Sequence, residues 1–588
     1  MSEQREWQTL VPRPSPEFPR KFFGDDINLS DWSALEPLAK ELIDRELKTP
    51  KDLAVWMSDF MQFENAVLEE GARLYINMTT DTGDQERDKA YVHFVEKVEP
   101  ELKKTDHRIN EKLISHPLKS KLKKEEYGRW LASLKTRLEL FDKRNLPLQS
   151  EITKLVQNYQ KICGAMTVEW EGKTTTLSQL SKVLQEPDRD RREKAWREIA
   201  TRFQNDGEEL DKVFNRLFSL RGKVSDNLLL DDYRSYCFKN YERTDYSVED
   251  CLKFHETVEK VVVPVYKEMQ AKRKSLLSLE KLRPWDLNCD VNGRPPLKPF
   301  QSSQELIEGV DTILGKMDKE ILACFRAMRE KGLLDLENRV GKAPGGYQCS
   351  LDEVRYPFIF MNAVGSNQDV FTLLHEVGHA FHLFLTRKRP LAYNRDAPTE
   401  FSEVASMGME RLGIVHLDTF YSAEDQVRAI MLEDEEVFRL LAWVAVIDSF
   451  QHWIYTNPNH TGEERKECWM ELNERFGCGV DWTGLEEHQA SSWHRQPHLF
   501  EHPFYYIEYG IAQLGALQIW ERSIEDASGA LEQYKAALKC GGTMGAKQLF
   551  QQAGLNFDFS PAAVEPLITK VYRVWEDMSE LNGSPSPE

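Results

Sequence analysis

Most of the chain carries apolar residues at the three- and four-residue spacing that is typical of amphipathic helices. This spacing predicts helices in five segments, which are 35–43, 55–75, 101–114, 124–140 and 248–277. We expect Ser33 to cap the first of these helices, with Glu36 completing a capping box. Pro264 predicts a kink in the last one, because a proline interrupts the hydrogen bonds of a helix. The pattern therefore predicts a mainly α fold.

Strand patterns are few and short. Residues 166–177 alternate apolar and polar side chains around Glu171 and Gly172, which predicts a small hairpin. Residues 354–362 are rich in β-branched and aromatic side chains, which predicts a further strand. Pro357 lies within this segment, and since proline cannot donate a ladder hydrogen bond, we expect an edge strand. A small β element should therefore stand just before residue 366.

The organisation into domains is weakly marked in the sequence. Four prolines within residues 12–19 are too closely spaced for a helix, so residues 1–25 should form an extended arm. The sequence contains no fixed-period repeat. We expect one continuous helical body, with an N-terminal lobe over residues 1–200 and a catalytic domain over residues 201–588.

The charge balance bears on the class of partner. The 588 residues include 77 Lys and Arg against 97 Asp and Glu, a net charge of −20. An acidic chain disfavours nucleic acids and anionic membrane surfaces, because both require a basic protein surface. The longest apolar run, Leu440–Ile447, is far shorter than the ~18 residues that a membrane-spanning helix needs. We therefore expect neither nucleic acid nor membrane as a partner.

Cysteine usage and the N-terminus bear on localisation. The nine cysteines are irregularly spaced and form no CxxC pair, which predicts reduced thiols rather than a disulfide framework. The first residues lack the apolar core of a signal peptide. Together these features predict a cytoplasmic protein.

The most informative chemistry is an H-E-x-x-H motif at residues 375–379. Side chains four residues apart lie on one face of a helix, so the imidazoles of His375 and His379 can meet one tetrahedral Zn²⁺. Zinc lowers the pKa of a bound water to about 7, and the adjacent Glu376 can then take its proton. The motif therefore predicts a hydrolytic zinc site.

The residues around the motif favour a well-formed helix. Ser366 and Asp369 are placed to cap its start. Gly378 lies in its middle, where glycine costs about 0.5–1 kcal/mol, and this predicts close approach of another backbone.

The third zinc ligand can be sought by excluding alternatives. The metzincin pattern requires glycine and then histidine where this chain has His382 and Leu385. The common alternative is a glutamate from a following helix, which Pro398 would begin. The candidates on that helix are Glu400, Glu403 and Glu410.

These glutamates differ in their surroundings. Glu400 is explained by attraction to the helix N-terminus, and Glu410 by an ion pair with Arg411 or by a place behind a ligand. Glu403 lies one turn into an apolar segment, where an unpaired carboxylate would be costly, and is the favoured ligand. His382 either supports the site from behind or is a partly exposed histidine.

A second group of polar aromatic residues follows at 493–510. Its histidines and tyrosines are His494, His498, His502, Tyr505, Tyr506 and Tyr509. Peptide hydrolysis needs hydrogen-bond donors for the oxyanion, and tyrosine O–H and histidine N–H are suitable. We expect Pro503 near the start of a helix that carries the tyrosines. The alternative interpretation is an aromatic core helix.

The motifs in this order resemble the thimet oligopeptidase/oligoendopeptidase F family of zinc metallopeptidases. The resemblance is carried by GGYQCS (345–350), PFIFMN (357–362), DVFTLLHEVGHAFH (369–382), EFSEVASMGMER (400–411) and PHLFEHPFYYIEYG (497–510). It covers most of residues 200–580. Residues 22–32 and 188–192 also look like bacterial oligoendopeptidase F relatives.

The resemblance assigns roles to particular residues. It implies that the zinc ligands are His375, His379 and Glu403, and that Glu376 is the general base. It implies that His498 and Tyr509 are mobile donors that complete the site over bound peptide, with Tyr506 as a companion. The implied fold is two helical lobes around a deep substrate channel, with the strand at 357–362 beside the substrate.

The expected function is therefore a zinc-dependent endopeptidase for oligopeptides. A zinc exopeptidase, either a carboxypeptidase or a dipeptidyl carboxypeptidase, shares the same motif and stays an alternative. A non-catalytic peptide-binding scaffold is the second alternative. The sequence leaves the cleavage preference and the oligomeric state open.

Overall fold

The structure is a computed structural model, and residues 6–583 of it are described. Helices make up most of this part of the chain, and the predicted mainly α fold is confirmed. In chain order the α-helices are α1 Glu6–Leu10, α2 Trp32–Asp44, α3 Pro50–Thr80, α4 Gln85–His93, α5 Glu99–Ser115, α6 Lys124–Glu139, α7 Asn145–Gly164, α8 Leu177–Ser181, α9 Arg189–Asn205, α10 Gly207–Asn227, α11 Tyr233–Asn240, α12 Val248–Thr257, α13 Val263–Leu276, α14 Ser303–Met317, α15 Lys319–Glu330, α16 Asn367–Thr386, α17 Thr399–Gly413, α18 Ala423–Thr456, α19 Gly462–Arg475, α20 Glu486–Ala490, α21 Pro497–Glu501, α22 Ile507–Glu525, α23 Ala527–Leu538, α24 Ala546–Gln552 and α25 Pro561–Gly583.

The predicted helices are present, with differences at their ends. The cap of α2 is Asp31, whose carboxylate accepts a hydrogen bond from the Ser33 N–H, so the prediction of Ser33 as the cap was wrong. The segment around Pro264 divides into α12, a π-helical turn at Val258–Val262, and α13. The proline follows directly on this π turn, whose wider hydrogen-bond pattern accommodates a residue without an N–H.

Five strands form two small sheets. They are β1 Thr167–Trp170, β2 Lys173–Thr176, β3 Leu334–Glu337, β4 Tyr347–Leu351 and β5 Tyr356–Ala363. The first two form the predicted hairpin. The other three pair in the order β3-β5-β4, so the strand with Pro357 is central, and the prediction of an edge strand was wrong. Pairing with β3 begins only at Ile359, so Pro357 has a neighbour on one side alone.

The N-terminal segment is docked rather than loosely extended. Helix α1 occupies part of the predicted extended arm, which is a correction, while residues 1–5 lie outside the described residues. Trp7 and Val11 are buried, and the indole of Trp7 lies 5.1 Å from the ring of Phe358. Burial of these apolar side chains explains why the prolines do not leave this segment free.

Two separate hydrophobic cores dominate the described residues. One is built mainly from residues 23–134, and the larger one includes α16, α17, α18 and α22. The predicted boundary at residue 200 stays a prediction, because the larger core also takes in side chains before that position. Within residues 6–583, no helix combines the length and apolar character that crossing a membrane requires.

Helix α17 packs against α16 on one side and α22 on the other. At the crossing of α16 and α17, a Cβ on Gly378 would lie 2.4 Å from the carbonyl oxygen of Ala405 and 2.6 Å from Ser406 Cα. The predicted close backbone approach at Gly378 is thus confirmed. It lets α17 present its side chains directly across from those of α16. Strand β5 packs on α16, as expected for a β element beside that helix.

Candidate active site

The start of α16 is firmly fixed. Asp369 Oδ2 accepts hydrogen bonds from the backbone N–H groups of Ser366 at 2.7 Å, Gly365 at 2.8 Å and Val364 at 2.9 Å. Asp369 thus caps the helix start as predicted, whereas the Ser366 side chain makes no capping hydrogen bond. These bonds fix the chain where it enters the helix that carries the motif.

Three predicted ligands converge between α16 and α17. Glu403 Oε2 lies 3.4 Å from His375 Nε2 and 3.5 Å from His379 Nε2. The ligating atoms of all three side chains lie within 4.8 Å of one another. The glutamate is buried, at 2% exposure, whereas the two imidazoles keep about a fifth of their side-chain surface (20% and 18%). Two imidazole nitrogens and one carboxylate oxygen are a donor set suited to Zn²⁺.

Outer side chains hold these three in place. Glu410 Oε1 accepts a hydrogen bond from His375 Nδ1 at 2.6 Å, which leaves Nε2 to face Glu403. The Tyr505 hydroxyl donates to Glu403 Oε1 at 2.5 Å, which leaves Oε2 to face the imidazoles. Glu410 therefore lies behind a candidate ligand, and its predicted alternative, an ion pair with Arg411, was wrong.

That arginine is engaged elsewhere, since Arg411 Nη1 donates to Asp434 Oδ1 at 2.9 Å. The prediction that Glu410 stands behind a ligand is the one that matches the geometry.

The electrostatics of the trio favour a cation. Burial alone would lower the pKa of His375, but Glu403 and Glu410 together raise it well above its usual range. Burial would raise the pKa of Glu403, but the two imidazoles hold it well below its usual value. A site that stabilises positive charge on His375 is also suited to a divalent cation.

Glu376 points into the same space. It is 5% exposed, and its Oε2 is a buried atom without a hydrogen-bond partner among the described residues. Its other oxygen faces the backbone of Gly346 in the segment before β4, where a Cβ would lie 3.6 Å away. Burial raises the pKa of Glu376. An unpartnered buried carboxylate beside two imidazoles and the carboxylate of Glu403 fits the predicted metal site, because a water held there would supply its missing partner.

The second predicted group adjoins the trio, since the ring of Tyr509 lies 5.6 Å from that of Tyr505, whose hydroxyl contacts Glu403. His498 on α21 and Tyr509 on α22 meet through His498 Nε2 and the Tyr509 hydroxyl, which are 3.2 Å apart. The ring of Tyr506 packs edge-on against His498, with centroids 4.9 Å apart. Helix α22 begins at Ile507, so only Tyr509 lies on it, and the prediction that one helix carries all the tyrosines was wrong.

Protonation makes the donors of this group clear. Burial, with His502 adding to it, lowers the pKa of His498 to about 3, so its ring is neutral at pH 7. Burial raises the pKa of Tyr509 well above its usual value, so it keeps its hydroxyl hydrogen. The Tyr506 hydroxyl lies near the Gln496 amide.

The remaining candidates lie outside the ligand trio. His382 is 5% exposed rather than partly exposed, and burial lowers its pKa to about 3. Glu400 is at the start of α17, as predicted, but it is buried near Arg243. His494 pairs with Asp211 at 2.9 Å.

Sequence reasoning missed the residues that position Tyr505. The preceding Phe504 has a φ of 64°, a left-handed conformation that is strained for a side chain of this size. Its N–H donates to the Gln451 side chain, and its carbonyl accepts from Arg243. These partners are distant in the sequence, so no local sequence pattern predicts them.

Comparison with known proteins agrees with this geometry. A family model described as "Peptidase family M3" matches residues 182–566, well over half of the chain. A second, described as "Peptidase M3 N-terminal domain", matches residues 26–141. The chain belongs to peptidase family M3, which confirms the resemblance noted in the sequence.

The curated relatives are distant in sequence. The chain is 24% identical to oligopeptidase PepF of Bacillus subtilis over 328 residues, which cover 54% of this chain and 47% of PepF. It is 25% identical to the chromosomal oligoendopeptidase F of Lactococcus lactis subsp. cremoris over 313 residues, covering 49% of this chain and 47% of that protein. The matches thus span about half the length of these curated relatives.

A solved structure of PZ peptidase A with inhibitor 2 extends the likeness to nearly the whole chain. The two share a TM-score of 0.90 at 27% identity, over 95% of this chain and 99% of that one.

Proposed function

We propose that this protein is a zinc-dependent endopeptidase that hydrolyses internal bonds of oligopeptides. The observation that carries the proposal is the convergence of His375, His379 and Glu403 beside the unpartnered carboxylate of Glu376. Membership of peptidase family M3 supports the reaction class. The oligopeptide substrate is inferred from the names of the relatives.

The metal's contribution is separate from that of the protein groups. One Zn²⁺ held by His375, His379 and Glu403 would polarise the attacking water and the scissile carbonyl. Glu410 and Tyr505 keep those ligands oriented through their hydrogen bonds to His375 and Glu403.

Glu376 is the general base of the proposal. Its free carboxylate oxygen takes a proton from the attacking water as the water adds to the carbonyl carbon. The same carboxyl group then gives that proton to the leaving amine when the C–N bond breaks.

Tyr509 is the oxyanion donor of the proposal, with His498 behind it. The Tyr509 hydroxyl donates a hydrogen bond to the oxyanion, and His498 supports it from 3.2 Å. Tyr506 shapes this pocket by packing against His498. The donors would act best in a channel closed to water, which is the deep channel between lobes that the family resemblance implies.

The test of the base is Glu376→Gln, with zinc content measured alongside. We expect kcat to fall by about 10²–10⁴-fold while one zinc per chain is retained. The matched control is Glu525→Gln at the exposed end of α22, which should keep full activity. Near wild-type activity in a zinc-loaded Glu376→Gln protein would rule out this role.

The endopeptidase assignment needs its own experiment. An internally quenched peptide blocked at both ends should be cleaved, because an endopeptidase needs no free terminus. If only peptides with a free carboxyl end are cleaved, the protein is an exopeptidase instead. If no peptide is cleaved by zinc-loaded protein, the scaffold interpretation holds. Localisation in the cytoplasm stays a prediction.

A further inference from the structure

One buried amide connects the second site group to the protein core. Gln496 is 8% exposed and stands in the turn before α21, between Trp443 on α18 and His498. Trp443 Nε1 lies 2.9 Å from Gln496 Oε1, and Gln496 Nε2 lies 2.8 Å from His498 Nδ1. His498 in turn contacts the Tyr509 hydroxyl. Four side chains therefore form one continuous row that ends at the site.

The direction of each hydrogen bond in this row follows from chemistry. An indole N–H can only donate, so the oxygen of the Gln496 amide must face Trp443. The amide nitrogen must then face His498, and it too can only donate, so His498 Nδ1 is the acceptor. A hydrogen on Nδ1 would place two donors face to face at 2.8 Å.

The remaining hydrogen of the ring is thereby assigned. A neutral imidazole carries one hydrogen, which must be on Nε2 of His498. That N–H donates to the oxygen of Tyr509, so the tyrosine's own hydrogen is left to donate to a further acceptor. Successive hydrogen bonds that point the same way strengthen one another.

We infer that Gln496, held by Trp443, is a positioning residue that fixes His498 as the Nε2–H tautomer and so aims the Tyr509 hydroxyl hydrogen at the substrate. This rests on the proposed function, since it specifies how the oxyanion donor of that reaction is prepared. Tyr509 is the direct donor in this arrangement, and His498 acts through it. Tyr505 has a different task, because its hydrogen is committed to Glu403.

The decisive variant is Gln496→Glu, which changes little in size but replaces the amide donor with a carboxylate acceptor. His498 should then carry its hydrogen on Nδ1, and Nε2 would accept the Tyr509 hydrogen and withdraw it from the substrate. We expect kcat to fall about 10²-fold, approaching the loss in Tyr509→Phe, with KM changed less than about 3-fold.

The matched variant is Gln496→Met, which keeps the volume but neither accepts nor donates. It leaves the tautomer free, so we expect a loss of about 10-fold. The two variants should also differ in pH dependence. Acid restores an Nε2 hydrogen in Gln496→Glu, so its kcat relative to wild type should rise as pH falls, whereas the ratio for Gln496→Met should stay flat.

A second measurement separates this inference from the proposed function. Nitrogen NMR of histidine-labelled protein reports which nitrogen of His498 carries hydrogen, with the signal identified by its loss in His498→Gln. We expect Nε2–H in wild type and Nδ1–H in Gln496→Glu. If the wild type shows this tautomer but cleaves no peptide, the proposed function fails and the tautomer assignment stands.

Other outcomes overturn the inference. An Nδ1–H tautomer in the active wild type contradicts it directly. Equal, pH-independent losses in Gln496→Glu and Gln496→Met would show that Gln496 matters only for packing. Wild-type kcat in Gln496→Glu would show that the row does not reach the reaction.

Discussion

Two regions of this protein bring metal-ligating atoms together, and they differ in what surrounds them. In each, three side chains place their ligating atoms within 4.8 Å of one another. We call them the candidate zinc cluster, made of His375, His379 and Glu403, and the core cluster, made of Cys251, Asp448 and His452. The core cluster is wholly buried between α12 and α18.

The difference lies in the second nitrogen of the imidazole. In the candidate zinc cluster, His375 Nδ1 donates to Glu410, so Nε2 can present a lone pair. In the core cluster, Arg234 lies 3.3 Å from His452 Nδ1 and can only donate. His452 Nδ1 is therefore the acceptor, and a ring hydrogen on Nε2, which lies 3.2 Å from Asp448 Oδ2, leaves that nitrogen unsuited to bind a metal.

The carboxylate and the thiol of the core cluster are also less available to a metal than the ligands of the candidate zinc cluster. Asp448 Oδ2 already accepts a hydrogen bond from His255 Nε2 at 2.8 Å. Burial raises the pKa of Cys251 well above its usual value, so it is a thiol rather than the thiolate that binds metals. Proximity of ligand-type residues is thus not enough. The hydrogen-bond partner behind each ring decides its chemistry, as Gln496 does for His498.

The largest effect should come from removing one imidazole from each cluster. His379→Ala should lose its zinc and with it all detectable peptidase activity, because two ligands do not hold the ion. His452→Ala should keep one zinc per chain and its kcat, but lose about 1–3 kcal/mol of unfolding free energy. Elemental analysis of each purified variant measures its zinc content. Loss of zinc from His452→Ala would contradict the distinction between the two clusters.

A large stability effect is expected at the core cluster itself. Burial alone would raise the pKa of Asp448, but His452 and His255 lower it below its usual value. A carboxyl group whose pKa is lower in the folded than in the unfolded chain stabilises the fold above the unfolded pKa of about 4. This stabilisation is lost as the pH falls through the folded-state pKa.

Asp448→Asn should therefore cost about 3 kcal/mol at pH 7, and this difference should shrink below about pH 4. Urea unfolding across pH measures it. A difference that grows as pH falls would contradict the assigned ionisation.

A smaller effect should come from the residues behind the rings. Glu410→Leu should weaken zinc binding by about 10–100-fold, because His375 loses the acceptor that orients it. Arg234→Leu should leave zinc affinity unchanged, since the core cluster holds no zinc in this interpretation. Competition with a chelator measures both, and equal affinities in all three proteins would remove the role of the outer partner.

The smallest effect concerns the helix crossing that assembles the candidate zinc cluster. Gly378→Ala should cost about 1–3 kcal/mol, because its Cβ would meet the backbone of α17 at 2.4 Å. Gly222→Ala is the matched control, since a Cβ there meets nothing within 4 Å, and it should stabilise by about 0.4–1 kcal/mol. Equal unfolding free energies for the two variants would show that the crossing tolerates a side chain.

Local patterns predicted what depends on neighbours in sequence. The helices, the hairpin at Glu171 and Gly172, and the Asp369 cap of α16 all follow from residues a few positions apart. Errors arose where a competing neighbour decided the outcome. Asp31 displaced Ser33 as a cap, and Pro357 was tolerated in a central strand because β3 pairs only further along.

In the candidate site, too, sequence patterns predicted the residues that lie on one helix better than those on other helices. Residue spacing on one helix brings His375, Glu376 and His379 together, since positions four apart share a face. Glu403 was favoured by exclusion and then by the family resemblance, because it lies on another helix. The sequence allows two interpretations of Glu410, and only the hydrogen bond to His375 distinguishes them. No sequence pattern indicates the role of Gln496, because its partner Trp443 is 53 positions away.

The sequence by itself therefore determined the helical architecture, the H-E-x-x-H helix and the membership of peptidase family M3. Only the tertiary structure decided which nitrogen of His375 and which oxygen of Glu403 face the other ligands. The reason is physical, because a side chain's hydrogen is assigned by the donor or acceptor that folding brings against it, and these partners come from distant helices.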